Sequence, residues 1–262
     1  MNIILSVFLT GIFIEAVLRL FARRAKSLKF SDRVTGIPRL GGIGLVAVFF
    51  MALFASRPID PLLALNFALV FALGIFDDLF YFNVAQKFIA ESMIGVLLIL
   101  AILKIYPGTI GVFFLIPVFF LIIGMMNALN FLDIADGLAA GVSIISALCF
   151  SIVFKIAGNA SFSGMSLLLA VSNTAFMFFN YPKAKMYMGE AGSLFNGAVL
   201  SCLAVIFIIE NQGAGLLTAF SIITLPVLDM IFLIFMRIIQ GKPITTKSCD
   251  HYILLLKKAG LD

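Results

Sequence analysis

The sequence has few charged residues and few of the side chains from which most metal sites are built. Only 12% of its 262 residues are charged, tryptophan is absent, and His251 is the single histidine. One histidine excludes a metal site made of several imidazoles. The three cysteines, Cys149, Cys202 and Cys249, lie far apart in the sequence, so we expect free thiols and no disulfide.

Apolar residues dominate what is present. They make up 63% of the chain and the mean hydropathy is +1.18, whereas a soluble domain averages about 45–50% apolar and about 25% charged residues. Because the apolar residues occur in long blocks, the sequence predicts an all-α polytopic membrane protein. Basic cytoplasmic loops explain the net charge of +5, so we expect no nucleic-acid partner.

Nine apolar blocks approach the length of about 20 residues that a helix needs to cross a bilayer. We find no internal repeat and no linker, which indicates one membrane domain over residues 1–262. No basic residue precedes the first block and no clear cleavage site follows it, so we expect a retained helix instead of a signal peptide. The predicted spans are residues 2–21, 41–56, 61–76, 87–103, 111–130, 137–156, 162–179, 193–209 and 214–236.

The distribution of basic residues predicts the orientation of these spans. If the N-terminus lies outside, every Lys and Arg except Arg57, Lys104 and Lys155 lies at a cytoplasmic helix end or loop. The positive-inside rule favours this arrangement, and nine spans then place the C-terminus in the cytoplasm. Carboxylates and amides from several parts of the chain fall at the same face, which predicts a polar site there.

The segment NALNFLDIADGLAAG contains four polar residues spaced three apart between two apolar runs. They are Asn127, Asn130, Asp133 and Asp136. Positions three apart drift slowly around an α-helix, so the four residues form a skewed polar stripe. A carboxylate at mid-membrane costs about 2.5–3.5 kcal/mol on insertion scales, which favours a functional site. Alternatively, the helix ends near Asn130 and the remainder is a solvated loop.

The segment GIFDDL places Asp77 next to Asp78 directly after an apolar run, and Lys87 follows. Adjacent carboxylates repel each other, and this raises their pKa values unless a cation lies nearby. A divalent metal ion or the Lys87 ammonium group would supply that cation. A solvated helix terminus is the alternative interpretation.

The segment NYPKAKMYMGEAGS combines Asn180 and Tyr187 with an acidic residue, Glu190, in front of another apolar span. Gly189 lets backbone N–H groups approach a phosphate, and a helix N-terminus favours an anion. Glu190 is placed to hold a metal ion that bridges to the phosphate. The alternative is a loop in which Ser193 caps the next helix.

Basic residues occur on both sides of these segments. Arg33 and Arg39 precede the span that begins at residue 41, and Lys242 and His251 belong to a cationic tail. These residues suit phosphate binding, but anionic lipid or the positive-inside rule accounts for them equally. Residues 251–262 also suit a short amphipathic helix that lies on the membrane surface.

Taken in order, the segments resemble those of the polyprenyl-phosphate N-acetylhexosamine-1-phosphate transferases, or glycosyltransferase family 4. That superfamily includes lipid-linked GlcNAc-1-phosphate transferases and phospho-MurNAc-pentapeptide translocase. NALNFLDIADGLAAG resembles the family's N-A-x-N-x-x-D-G-x-D-G-L, and NYPKAKMYMGEAGS resembles N-x-P-A-K-x-F-M-G-D-x-G-S. GIFDDL followed by Lys87 resembles its Asp-Asp motif, and LPVLDMIFLIFMRIIQGK resembles its last Asp-containing helix and the following loop.

The resemblance implies transfer of a sugar-1-phosphate from a UDP-N-acetylhexosamine to undecaprenyl phosphate or another polyprenyl phosphate, with release of UMP. It also implies Mg²⁺ or Mn²⁺ as cofactor and a location in the inner (plasma) membrane. The reaction would be the first membrane step of cell-envelope glycan assembly, and the protein would form a homodimer. The alternative is a non-catalytic homologue that scaffolds an assembly complex. A transporter is a third interpretation, which the clustering of charge at one face disfavours.

The resemblance further implies a role for each matching residue. The implied catalytic residues are Asp77, Asp78, Lys87, Asp133 and His251, the implied metal ligands are Asp136, Glu190 and Asn130, and the implied nucleotide contacts are Arg33, Asn180, Tyr187 and Gly189.

Some positions depart from the family pattern. Glu190 replaces the usual Asp, which keeps the charge on a longer side chain, and Ile134 replaces a Gly. Ile253 and Leu254 stand where the last two histidines of the family's H-x-H-H loop are expected after His251. The chain also ends before the expected tenth helix. These departures concern nucleotide-sugar and diphosphate binding more than the fold.

Overall fold

The described part of the chain consists mainly of α-helices. The computed structural model describes residues 3–24, 32, 35–56, 59–109 and 111–241. Its helices are α1 (Ile3–Arg24), α2 (Gly41–Ser56), α3 (Pro61–Phe80), α4 (Val84–Ile105), α5 (Val112–Leu132), α6 (Leu138–Ile156), α7 (Ala160–Asn180) and α8 (Gly189–Ile239).

The helices have the length and composition of membrane spans. Within the described residues, seven are long and apolar enough to cross a bilayer, and α2 is apolar but shorter. Large apolar side chains cover the outside of the bundle, as at Phe113, which is 89% exposed. A surface of this kind is stable against lipid chains and unfavourable in water. The prediction of an all-α polytopic membrane protein is confirmed, while the count of nine spans and their orientation stay predictions.

Helix α8 is not one continuous rod. It has 51 residues, and Gln212 within it has non-helical dihedral angles (φ 48°, ψ −130°). A Cβ atom added to Gly215 would lie 2.7 Å from the Phe207 carbonyl oxygen, although eight residues of straight helix span about 12 Å. The chain therefore folds back at Gln212 into two halves, 189–211 and 213–239. This break falls between the predicted spans 193–209 and 214–236.

Two predicted boundaries near the polar segments are wrong in ways that affect the site. Helix α3 was expected to end at residue 76 but continues to Phe80, so Asp77 and Asp78 lie in its last turn. Helix α4 begins at Val84 and not at residue 87, because Asn83 and Gln86 form a reciprocal capping box at its N-terminus.

The predicted helical stripe through Asp133 and Asp136 is also wrong. Helix α5 ends at Leu132, so of the four polar residues only Asn127 and Asn130 lie on it. Asp133 caps the helix and Asp136 lies in the following turn, where Gly137 adopts a left-handed conformation (φ 79°) before α6. The alternative with Ser193 as a cap is wrong too, because α8 begins at Gly189 and the Ser193 hydroxyl donates to the Gly189 carbonyl oxygen.

Close backbone contacts hold α2 in the bundle. A Cβ atom on Gly42 would lie 2.6 Å from the Met188 carbonyl oxygen, and one on Gly44 would lie 2.5 Å from the Glu15 side chain of α1. The N–H groups of Gly41 and Gly42 donate to the carbonyl oxygens of Tyr187 and Met188 at 3.0 and 2.8 Å. These contacts fix the N-terminus of α2 against the segment that leads into α8.

Polar contacts concentrate at the two ends of the bundle. At one end, Glu210 accepts hydrogen bonds from the Tyr106 hydroxyl and from Asn159 Nδ2, the latter at 2.7 Å, and Lys104 pairs with Asp60 at 3.0 Å. The other end contains the acidic segments that the sequence analysis selected. The two ends are separated by the apolar core of the helices.

A buried amide pair joins α7 to α8 and gives a first prediction about stability. Asn173 and Asn196 are both fully buried, and each donates its Nδ2 to the other's Oδ1 at 2.9 Å. We expect Asn196→Leu to lower the free energy of unfolding by about 1–3 kcal/mol, because it leaves the buried Asn173 Oδ1 without its donor, while Asn173 Nδ2 keeps its hydrogen bond to the Leu169 carbonyl oxygen. Replacing both residues by Leu should recover part of this loss. Thermal unfolding of the detergent-solubilised variants tests both outcomes, and an unaltered midpoint for Asn196→Leu would contradict the first.

Candidate active site

Asp77 and Asp78, in the last turn of α3, contact different parts of the structure. Tyr81, directly after the helix, adopts a left-handed conformation (φ 52°) that turns the chain sharply. The turn is closed by Asp77, whose Oδ1 accepts from the Phe82 N–H at 2.9 Å. Asp78 instead faces α8, and its Oδ2 accepts from the Ala191 N–H at 3.2 Å. Asp78 therefore caps a helix from a distant part of the sequence, where the helix dipole favours a negative charge.

Lys87 is the cation at the centre of the site. The capping box of Asn83 and Gln86 starts α4 and places Lys87 in its first turn. Its ammonium group forms an ion pair with Asp77 Oδ2 at 3.2 Å and a short ion pair with Glu190 Oε2. The predicted neutralisation of the acidic pair by Lys87 is therefore present for Asp77.

Glu190, in the first turn of α8, connects three helices. Its Oε2 accepts from Lys87 of α4 and from Asn130 Nδ2 of α5. The preceding Gly189 has φ +72°, and a Cβ atom on it would lie 2.7 Å from Asp78 Oδ2. A glycine at this position therefore lets α3 and α8 approach closely enough for Asp78 to reach the N-terminus of α8.

The turn after α5 adds Asp133 and Asp136, which have different surroundings. Burial raises the pKa of the Asp133 carboxyl well above its usual range, and repulsion from the Glu190 and Asp78 carboxylates raises it further. Asp133 therefore retains its proton at pH values where an exposed aspartate is ionised. Asp136 is exposed, and its Oδ2 accepts from the Ala184 N–H at 2.9 Å.

Asn180 joins two loops at the edge of the site. Its Oδ1 accepts from the Gly137 N–H at 2.7 Å, and its Nδ2 donates to the Met186 carbonyl oxygen at 3.0 Å. The residue is buried, and these contacts suit a positioning role better than contact with a nucleotide. Tyr187 is half-buried, and its N–H donates to the Pro38 carbonyl oxygen at 2.8 Å.

The structure thus brings together most of the residues that the sequence analysis selected. Asp77, Asp78, Lys87, Asn130 and Glu190 form the core of the site, which we call the acidic cluster. Arg33 and His251 lie outside the described residues, so their predicted roles stay predictions. Arg39, which was predicted only as part of a basic segment, forms an ion pair with Asp32 at 2.6 Å in the loop before α2.

Comparison with known proteins supports the resemblance drawn from the motifs. The family model described as glycosyl transferase family 4 matches residues 61–208, which include every residue of the acidic cluster. The chain belongs to glycosyl transferase family 4. The matched region begins at α3 and runs through the first half of α8, so it contains both the Asp-Asp motif and the Gly189–Glu190 turn.

The chain is also similar to individual transferases of known name. The chain is 28% identical over 254 residues to a probable undecaprenyl-phosphate N-acetylglucosaminyl 1-phosphate transferase of Bacillus subtilis, covering 89% of this chain and 68% of the relative. It is 29% identical to an undecaprenyl-phosphate alpha-N-acetylglucosaminyl 1-phosphate transferase of Thermotoga maritima, covering 88% and 72%. A phospho-N-acetylmuramoyl-pentapeptide-transferase of Streptococcus pneumoniae is 27% identical, covering 69% and 62%.

The donor atoms of the acidic cluster fit a divalent ion in their chemistry. Carboxylate and amide oxygens are the ligands that Mg²⁺ and Mn²⁺ prefer, and Asp78 Oδ1 is buried with no hydrogen-bond partner. Among the described residues, however, no three Asp, Glu, His or Cys side chains converge as a metal site. In this arrangement Lys87 and Asn130 both contact Glu190 Oε2, so an ion could reach this oxygen only if Lys87 moved away.

Sequence reasoning missed one acidic residue beside the site. Glu91 lies one turn after Lys87 on α4 and is 1% exposed. Its Oε2 accepts from Asn127 Nδ2 at 2.6 Å. The signal was present in the sequence, because residues i and i+4 share one face of a helix.

Proposed function

We propose that this chain transfers a sugar-1-phosphate from a UDP-N-acetylhexosamine to undecaprenyl phosphate and releases UMP, as a membrane step of cell-envelope glycan assembly. The observation that carries the proposal is the acidic cluster, held around Lys87 at one end of a bundle of apolar helices. A site at the end of membrane helices is accessible to a lipid phosphate and to a soluble nucleotide. The names of the relatives support undecaprenyl phosphate as the acceptor and an N-acetylhexosamine 1-phosphate as the transferred group.

The reaction exchanges one phosphoanhydride bond for another. An oxygen of the lipid phosphate attacks the phosphorus atom that carries the sugar, and a new P–O bond forms. The bond from this phosphorus to the UMP oxygen breaks, and UMP leaves with the electron pair. All reacting groups are anionic, so positive charge and fixed dipoles must offset their repulsion.

Different residues of the chain would bind the two substrates and offset the repulsion between their phosphates. Asp77 orients Lys87, whose ammonium group binds an oxygen of the lipid phosphate once that substrate arrives. Asp78 and the N–H groups at the start of α8 fix the position of Gly189, where a phosphate of the nucleotide is expected to lie. Asn180 holds the two loops that border this position.

We further propose that Mg²⁺ or Mn²⁺ binds at Glu190, Asn130 and Asp78. When bound, the ion would supply positive charge to the diphosphate of the nucleotide sugar. Asp136 was expected among the ligands, but it accepts a hydrogen bond from Ala184. We therefore assign to Asp136 the positioning of the loop before α8.

We propose that this chain crosses the plasma membrane nine times. We also propose that its active site faces the cytoplasm. Arg39, Lys87, Lys183 and Lys185 lie at or near the end of the bundle that holds the acidic cluster, whereas Lys104 and Lys155 lie at helix ends on the opposite side. The positive-inside rule assigns the first of these ends to the cytoplasm. The break at Gln212 supports the count of nine, since one 51-residue span would exceed the thickness of a bilayer.

Removal of divalent metal provides the first test of this function. Purified protein in detergent should release UMP from one member of a panel of UDP-N-acetylhexosamines when undecaprenyl phosphate and Mg²⁺ are present. We expect EDTA to reduce the release to background, because the acidic cluster alone repels the substrates. Added Mg²⁺ or Mn²⁺ should restore it.

The outcomes separate the parts of the proposal. Release that requires the lipid but persists in EDTA would contradict the metal assignment and retain the transferase. No release with any donor, from protein that unfolds cooperatively, would contradict the transferase and favour a scaffold in an assembly complex.

A further inference from the structure

Glu91 is a buried carboxylate that the proposed mechanism does not use. Its side chain is 1% exposed, and its Oε1 is buried with no hydrogen-bond partner. Its Oε2 is held by Asn127 Nδ2, which also donates to the Ile123 carbonyl oxygen at 3.0 Å. A carboxylate buried with one oxygen unpaired is unfavourable by several kcal/mol unless it takes up a proton or a cation approaches it.

The nearest candidate cation is the ammonium group of Lys87. Lys87 and Glu91 are four residues apart on α4, a spacing that places their side chains on the same helix face. The two charges interact electrostatically, although Lys87 makes its direct contacts with Asp77 and Glu190. Glu91 is therefore the carboxylate of α4 that the Lys87 ammonium group can approach by a change of its own side-chain rotamer.

Binding of the ion at Glu190 Oε2 requires such a movement. Glu190 Oε2 is contacted by both Lys87 and Asn130, and a divalent ion cannot bind an oxygen that an ammonium group already covers. When it leaves Glu190, the Lys87 ammonium group keeps only Asp77 as a direct ion-pair partner, so a second anion nearby stabilises the displaced charge. Glu91, at the base of the acidic cluster, offers an anion at the place where the displaced side chain would lie.

We propose that Glu91, held by Asn127, is an alternative ion-pair partner that receives the Lys87 ammonium group when a divalent cation occupies Glu190 and the lipid phosphate has not yet bound. Glu91 is a positioning residue in this scheme, since it acts through Lys87 and touches neither substrate. The inference rests on the proposed function, because it assumes that the acidic cluster binds a divalent ion.

Binding of Mn²⁺ alone to the purified full chain tests the proposal without turnover. Free Mn²⁺ is counted by electron paramagnetic resonance for four proteins: wild type, Glu91→Gln, Lys87→Met and the double variant. We expect Glu91→Gln to raise the Kd for Mn²⁺ about tenfold, because the displaced ammonium group loses its partner. We expect Lys87→Met to lower the Kd, because no ammonium group competes for Glu190.

The double variant separates this coupling from simple attraction between Glu91 and the ion. Without Lys87 there is nothing to displace, so Glu91→Gln should then change the Kd by less than about threefold. An equal effect of Glu91→Gln with and without Lys87 would show that Glu91 acts on the ion directly and would overturn the proposal. An unchanged Kd in the Glu91→Gln variant would also overturn it, leaving Glu91 as an anchor for Asn127 only.

Glu210→Gln is the matched control. Glu210 also accepts a hydrogen bond from an asparagine, Asn159, but at the opposite end of the bundle. This variant should bind Mn²⁺ like the wild type, and all variants should retain a cooperative thermal transition without metal. If the wild type releases UMP and binds Mn²⁺ but the variants show no coupling, only the role of Glu91 fails. If the wild type neither binds Mn²⁺ nor releases UMP, the proposed function fails and the inference fails with it.

Discussion

Glu190→Gln is expected to lower the rate of UMP release by about 10²–10³-fold, the cost of removing one pre-positioned electrostatic group from an active site. The substitution keeps the size of the side chain and its contact with Asn130, but it removes the charge that pairs with Lys87 and that would bind the ion. Turnover at saturating donor, acceptor and Mg²⁺ measures the effect. Because Lys87 retains Asp77 as a partner, we expect the thermal unfolding midpoint to stay near that of the wild type.

A conservative variant at Glu190 and a control variant at the opposite end of the bundle test whether the carboxylate at Glu190 causes this loss of activity. Glu190→Asp keeps the carboxylate and restores the residue that the family pattern has, so it should retain much of the activity. Glu210→Gln makes the same chemical change near the end of the first half of α8, where Glu210 holds Tyr106 and Asn159, and should leave turnover unchanged. Wild-type rates in Glu190→Gln would contradict the central position given to Glu190.

Gly189→Ala is expected to reduce turnover by at least about 10²-fold through a steric effect on Asp78. The added Cβ atom would lie 2.7 Å from Asp78 Oδ2, so the carboxylate would have to leave the N-terminus of α8. A misplacement of about 1 Å at a reacting group is enough for a loss of this size. The left-handed backbone at Gly189 adds about 1–2 kcal/mol of strain once a side chain is present.

Gly158→Ala separates the clash from the backbone strain. Gly158 has φ +83°, close to the +72° of Gly189, but a Cβ atom there would meet nothing within 4 Å. It lies in the connection between α6 and α7, at the end of the bundle away from the acidic cluster. We expect Gly158→Ala to lower the unfolding midpoint slightly and to keep turnover. Equal losses of turnover in both variants would attribute the Gly189 effect to general destabilisation.

The membrane architecture could be predicted from the sequence because the lipid environment leaves few alternatives. A chain in a bilayer must satisfy its backbone hydrogen bonds internally, so blocks of apolar residues imply helices. Even the break in α8 was visible, since Gln212 and Gly213 interrupt the apolar run between two predicted spans. The helix ends were less predictable, because capping by Asn83 and the left-handed Tyr81 depend on local backbone geometry.

The composition of the site could be predicted, but not its pattern of contacts. Asp77, Lys87 and Glu190 were selected for their charge and spacing, and the structure places them together. Spacing along the chain gave no information about Asp78 reaching the N-terminus of α8, because that contact joins residues 113 positions apart. The same limit applies to Asn180, whose two hydrogen bonds depend on how the loops at residues 137 and 186 meet.

The most direct test of the central claim is to follow which phosphate moves. The protein is incubated with undecaprenyl phosphate, Mg²⁺ and UDP-GlcNAc that carries radioactive phosphorus at the phosphate attached to the sugar. We expect the label to appear in the lipid fraction as undecaprenyl diphosphate-sugar and UMP to be the nucleotide product. We expect Glu190→Gln to form almost none of the labelled lipid. Label that stays with the nucleotide as UDP while the sugar moves to the lipid would contradict sugar-1-phosphate transfer.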